Sequence, residues 1–149
     1  MSTLVRIANA NDAERIAPLL DAYRQFYAQP ADPGIALRFL RERFAHHESS
    51  VLLAEDDAGV AMGFTQLYPL FSTVRAVRIY LLNDLFVVPA ARGRGVARRL
   101  LAAAADFARA NGAASLSLQT ANDNAAARAL YESTGWIAET RFGEYTLAL

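Results

Sequence analysis

The chain contains no cysteine and no lysine. Without cysteine it forms no disulfide, carries no thiolate nucleophile and builds no cysteine-type zinc site. Without lysine there is no side-chain amine to act as a base or to form a Schiff base. All 15 basic residues are therefore arginine, whose charge is permanent. Histidine is scarce as well. His46 and His47 have only the adjacent Glu48 beside them, with no further ligand at metal-binding spacing. They read as a solvated helix end near the negative pole of the dipole. No metal is expected. Neither sign of charge is in excess, since 15 acidic residues balance the basic ones. That balance argues against a nucleic-acid or membrane-surface role. No apolar run approaches the roughly 20 residues of a membrane span. No positive segment followed by a long apolar stretch marks a secretory signal. A soluble, cytoplasmic protein is the expectation. With 149 residues, 54% of them hydrophobic, one domain over 1–149 is expected.

What is present is organised around Leu82 to Leu101. An apolar run ends at Val88, and Pro89 stops ladder pairing because it has no N–H. Arg92, Gly93, Arg94, Gly95, Val96 and Ala97 follow, then a segment of helical period that includes Arg98 and Arg99. This pattern predicts a strand, a tight glycine turn and a helix N-terminus. Such a junction presents unpaired N–H groups and the positive end of a helix dipole. Two glycines let another group approach the backbone, and four arginines are expected around the same point. The physical expectation is an anion site, best suited to phosphate. A dinucleotide fingerprint would need glycine where Arg98 stands, and a P-loop would need a lysine.

The remaining segments fall into place around it. Leu4 to Ile7 alternates as a first strand. Asn11 with Glu14 suggests a capping box for a helix to about Tyr27, with a kink at the interior Pro18. Asp32-Pro33 starts a second helix, which fades near His46. Strands are expected over 51–55, 60–70 and 75–88, joined by short turns and hence antiparallel. Glu55-Asp56-Asp57 with Ala58-Gly59 reads as a hairpin turn. Pro69 restricts central pairing of its strand. Asn111-Gly112 stops the third helix. A strand over 115–120, parallel to 79–88 through a right-handed crossover, comes next. Asn122-Asp123-Asn124 offers caps for a helix over 125–133. Gly135 is expected in the left-handed region, with Trp136 packing back. Two closing strands are expected near 136–140 and 144–149. The order is β-α-α-β-β-β-α-β-α-β-β, an α+β fold with a central mixed sheet flanked by helices.

Arg92-x-x-Gly95-x-Ala97 after a strand resembles the Gln/Arg-x-x-Gly-x-Gly/Ala signature of the GNAT family of N-acetyltransferases. A second segment, Asn124 followed by Ala129-Leu130-Tyr131-Glu132 and Gly135-Trp136, resembles another stretch of the same family. The element order also matches, so the resemblance covers nearly the whole chain. The stretch from Leu82 to Val87 is similar to the corresponding strand of the diamine acetyltransferase branch.

The resemblance implies an acetyl-CoA-dependent acyltransferase that moves an acetyl group to a primary amine of a small molecule by direct attack in a ternary complex. Main-chain groups of Leu85, Phe86 and Val87 would meet the pantetheine arm. The pyrophosphate would sit on the N–H groups of Arg92 through Ala97, with Arg98 nearby, and Asn124 would touch the cofactor. A main-chain N–H near Phe86 or Val87 would stabilise the oxyanion. Tyr131 would protonate the leaving thiolate, a role open to a hydroxyl of ordinary pKa near 10. The diamine branch has glutamate where Asn83 stands, and asparagine accepts no proton at ordinary pH. Either Asn83 orients a water or the substrate, or Asp84 is the base, or the amine arrives neutral. Tyr23, Phe26, Tyr27 and Asp32 would line the acceptor side. Dimerisation through the closing strands is a further implication. A non-catalytic acyl-CoA sensor and a peptide N-terminal acetyltransferase are the alternatives.

Overall fold

Five strands assemble into one sheet in sequence order: β1 (Leu4–Ile7), β2 (Ser50–Glu55), β3 (Ala61–Ser72), β4 (Val77–Val87) and β5 (Ala113–Ser117). The first four are antiparallel, and β5 runs parallel to β4. The helices are α1 (Ala13–Phe26), α2 (Pro33–Ala45), α3 (Val96–Ala110) and α4 (Ala125–Ser133). The computed structural model describes residues 2–149, in two compact units that divide after Leu118.

In the first unit both faces of the sheet are covered, so β2 and the first half of β3 are buried almost without interruption. On one face Ile16, Leu20 and Leu40 of α1 and α2 pack with Val51, Leu53, Phe64 and Phe86. On the other lies α3, whose Phe107 ring stands 5.6 Å from that of Tyr80. Gly63 permits this second packing, because a Cβ there would fall 2.6 Å from the Phe86 carbonyl oxygen and 3.3 Å from Leu100. The hairpin turn forms as expected, with Asp56 Oδ1 accepting from Ala58 and Val60 N–H. Pro69 lies beyond Leu67, the last residue of β3 paired to β2, where a missing donor is tolerated.

Local signals place the helix ends, with one shift. Asp32 Oδ1 accepts from Ile35 N–H and Pro33 opens α2, as the sequence predicts. The first capping box is not Asn11 with Glu14. Asn9 and Asp12 form it, two residues earlier, on a 3₁₀ turn that leads into α1. The cause is Arg6, which grips Asp12 with two nitrogens at 2.9 and 2.7 Å and so fixes where the chain leaves β1. Arg6 also bonds Glu55, and Arg15 joins both acids. Glu55 thus ends β2 inside an ion cluster rather than standing in the turn.

In the second unit, α4 spans the predicted residues and is capped by Asn124 Oδ1 on Ala127 N–H. Gly135 has φ +95°, and Trp136 N–H returns to the Tyr131 carbonyl at 3.0 Å, closing a Schellman motif. The Trp136 and Tyr131 rings stand 6.0 Å apart. The two closing strands do not form: residues 136–149 carry no strand. Local bonds replace ladder pairing there, with Arg141 N–H and its guanidinium both turned onto Glu139. β5 is also shorter and earlier than the expected 115–120.

Candidate active site

The site grows from an irregularity in β4. Gln66 pairs with Asp84, but the next β3 residue, Leu67, pairs with Leu82. Asn83 is therefore an extra residue, a β-bulge. The insertion changes which face the strand presents. Tyr80 and Phe86 share parity, yet Tyr80 packs on α3 while Phe86 packs on Phe64 and Tyr23 on the α1 side. Thr65 Oγ1 donates to the Asp84 carbonyl at 2.8 Å and pins the bulge from the neighbouring strand. The Tyr23 hydroxyl donates to the Asn83 carbonyl at 3.5 Å from α1.

Beyond the bulge β4 outruns its parallel neighbour. The last β4–β5 partners are Leu81 and Ser117, whereas pairing with β3 continues to Val87. From Leu82 onward, alternate backbone groups of β4 face a side from which β5 has gone. Leu85, Phe86 and Val87, singled out from the sequence, lie on this one-sided stretch.

The strand then feeds the glycine turn. Pro89–Ala91 form a 3₁₀ turn, Gly93 and Gly95 adopt φ +75° and +76°, and α3 begins at Val96. Gly95 is the N-cap, and no side chain caps the helix. The first helical bond runs from Arg99 N–H to the Gly95 carbonyl, so Val96 and Ala97 N–H have no intrahelical partner. The apolar stripe of Val96, Leu100, Leu101, Ala104 and Ala108 is buried and anchors this end rigidly. The four arginines do not all gather at the turn. Arg92 Nε donates back to the Val87 carbonyl at 2.9 Å and its guanidinium lies over Phe86. Arg99 reaches the Thr3 carbonyl. Arg94 is exposed at the turn itself.

The two residues singled out as candidates for handling the substrate's proton, Asn83 and Asp84, sit on the bulge. Asn83 is exposed and its Nδ2 donates to Asp84 Oδ1 at 3.0 Å. Asp84 is only 6% exposed, and Gln66 Nε2 donates to its Oδ2 at 2.6 Å. Burial pushes the Asp84 carboxyl above the ordinary carboxylate range, against the pull of these two amides. Burial, with Asp84 nearby, pushes the Tyr68 hydroxyl up to about 12. Gln66 and the bulge went unnoticed in the sequence. A glutamine within Gly63-Phe64-Thr65-Gln66-Leu67 breaks a buried strand, and that polar intrusion was the available signal.

The acceptor-side candidates separate. Tyr23 packs on Phe64, Phe86 and Tyr27 beside the bulge. Phe26 and Tyr27 are exposed at the end of α1. Asp32 is occupied as the α2 cap, so its carboxylate serves the fold. In the second unit, Asn124 caps α4 and Tyr131 lies on that helix against Trp136. Among the described residues no group of three or more His, Cys, Asp or Glu could hold a metal ion, and no helix is long and apolar enough to cross a membrane.

This geometry has close counterparts. The chain is 52% identical over 143 residues to the uncharacterized N-acetyltransferase YhfO of Bacillus subtilis (strain 168), covering 96% of this chain and 95% of that one. A crystal structure of a probable acetyltransferase superposes with a TM-score of 0.92 at 35% identity, covering 98% of this chain and 97% of the other. An aminoglycoside N-acetyltransferase solved in complex with CoA shares the fold at a TM-score of 0.82 and 22% identity, covering 99% and 96%. The model of the acetyltransferase (GNAT) family matches residues 14–136, which include both the glycine turn and the α4 segment. With the split sheet, the uncapped glycine turn and acetyltransferase relatives along its length, the chain is an acyltransferase and belongs to the GNAT family.

Proposed function

We propose that the protein transfers the acetyl group of acetyl-CoA to a primary amine of a small molecule, by direct attack in a ternary complex. The observation that carries this reading is the one-sided end of β4 running into an uncapped helix N-terminus. Strand groups with no ladder partner on the β5 side suit the amides of a pantetheine arm, and the Val96 and Ala97 N–H groups suit a diphosphate. The aminoglycoside enzyme crystallised with CoA supports the same choice of donor. The family match crosses the boundary between the two units, and we take them to act as one acetyltransferase domain.

The chemistry follows from the groups present. Asp84 takes a proton from the substrate ammonium, and the neutral nitrogen attacks the thioester carbonyl. A C–N bond forms and the C–S bond breaks. A main-chain N–H near Phe86 or Val87 stabilises the oxyanion. Tyr131, assigned from its motif, gives a proton to the departing thiolate and recovers one from the new amide nitrogen by way of solvent. Asn83, with no basic atom, orients the amine beside Asp84. Tyr23, Phe26 and Tyr27 form an aromatic wall for the acceptor.

A thiol-release assay with acetyl-CoA and a panel of monoamines, polyamines and peptides tests the reading. Turnover is expected with small primary amines, and Tyr131→Phe is expected to lower the rate at least about tenfold, the lower range of proton-transfer catalysis. CoA binding without turnover on any amine contradicts it, and turnover with peptides alone redirects it to polypeptide N-termini.

A further inference from the structure

Two buried side-chain atoms among the described residues, Ser49 Oγ and Gln66 Oε1, have no hydrogen-bond partner, and the second lies against Asp84. Gln66 is fully buried in the middle of β3, directly opposite Asp84 in the register. Its Nε2 donates to the Asp84 carboxylate, but its Oε1 is buried with no hydrogen-bond partner. A buried carbonyl oxygen without a donor is costly, of order 1–3 kcal/mol, and strands seldom retain one without use. Leucine or methionine would fill this position of the sheet without that cost.

Asp84 has no arginine within ion-pair distance among the described residues. Its partners are two carboxamides, Gln66 and Asn83. The ionisable groups around it are the Tyr68 hydroxyl on β3 and the Tyr23 hydroxyl on α1, with Arg43 of α2 acting on Tyr68. A tyrosine hydroxyl is neutral or anionic and never a cation, so neither supplies a compensating charge. The carboxyl must therefore be supported by neutral groups in both of its protonation states.

A carboxamide meets that requirement because it has a donor end and an acceptor end. We propose that Gln66 is the positioning residue for Asp84, its amide donating from Nε2 to the carboxylate and turning to accept through Oε1 once the carboxylic acid has formed. The proton that Asp84 takes from the substrate ammonium is then held as an O–H···Oε1 hydrogen bond until it leaves to solvent. The unpartnered Oε1 is the acceptor waiting for that state. Atoms balance without any further reactant: the ammonium loses one proton and Asp84 gains it. The inference rests on Asp84 being the base.

The test is the pH profile of kcat/KM for Gln66→Met and Gln66→Glu, with CoA binding by calorimetry as the check of folding. Gln66→Met removes a hydrogen bond from both protonation states, but the charge-assisted bond to the carboxylate is the stronger, so the acidic limb moves to higher pH by about one unit. The rate then falls about tenfold below the limb and recovers toward the parent rate above it. Gln66→Glu places a second carboxyl against the first and moves the same limb further. A uniform loss of rate with the limb unmoved in both variants overturns the proposal. Asp84→Asn separates the two levels: a limb abolished there but unmoved in the Gln66 variants rejects only Gln66. A limb that survives in Asp84→Asn rejects the base and the positioning residue together.

Discussion

Among the buried acids of the first unit, two sites are built in opposite ways. Where β1 and β2 meet, Asp12 and Glu55 are gripped by Arg6 and Arg15. The Arg6 hydrogen bonds hold Asp12 at about 2. Burial pushes Glu55 up, but the same arginines outweigh it and leave it below its ordinary value. On the β4 bulge, Asp84 is equally buried but meets only amides, and its carboxyl is pushed up. The chain does not lack arginine for this purpose, since Arg43 acts on the adjacent Tyr68. A buried acid thus takes one of two parts. One matched to a cation stabilises the fold, whereas one denied a cation keeps its proton within reach of chemistry.

The largest expected effect breaks the second group. Asp84→Asn keeps shape and burial but removes the base, and kcat/KM should fall at least about 100-fold while CoA still binds. Calorimetry beside the thiol-release assay checks both halves. If the loss appears as weaker CoA binding instead, Asp84 belongs with the fold.

Breaking the first group should do the reverse. Arg6→Met leaves two buried carboxylates short of a partner. With Arg6 about a third exposed, the cost is discounted to about 2 kcal/mol. Urea unfolding measures it, and the rate per folded molecule should be unchanged.

Gly63→Ala probes the frame that holds the bulge. Its added methyl meets the Phe86 carbonyl, which overpacks the sheet by about 1–3 kcal/mol. Thermal unfolding should register the loss, accompanied by weaker CoA binding because Phe86 lies on the one-sided stretch.

The smallest effect lies in the pH dependence of stability. Asp12 binds its proton more weakly when folded, so its contribution is present above about 4 and drains away as pH falls toward about 2. Asp84 binds its proton more tightly when folded, so stability declines as pH rises through its elevated value. Urea titrations across pH should show Arg6→Met flattening the acid-side slope and Asp84→Asn removing the other. Identical slopes in the two variants would erase the distinction.

The sequence carried most of the scaffold because its signals are local. Asp32-Pro33, Asp56 before Gly59, and Gly135-Trp136 each act within a few residues, and each adopts the expected geometry. The glycine turn was legible for the same reason. The bulge was not, because one inserted residue in Leu82-Asn83-Asp84-Leu85 changes no composition and leaves the apolar run intact. Its effect appears only across the ladder, where Gln66 and Leu67 find partners two apart. The capping box expected at Asn11–Glu14 was displaced to Asn9–Asp12 by Arg6, a residue on a different element. The closing segment alternates in hydrophobicity, but alternation supplies no partner strand, and Glu139 with Arg141 form local bonds instead.

Carbon-13 titration of the side-chain carboxyls tests the central claim most directly, because Asp12 and Asp84 can be followed in one sample of the unliganded protein. The account predicts Asp12 titrating at about 2 and Asp84 above the ordinary carboxylate range. It also predicts that the Gln66 variants move the second value alone. Both carboxyls titrating below about 4, the unperturbed value, would contradict it.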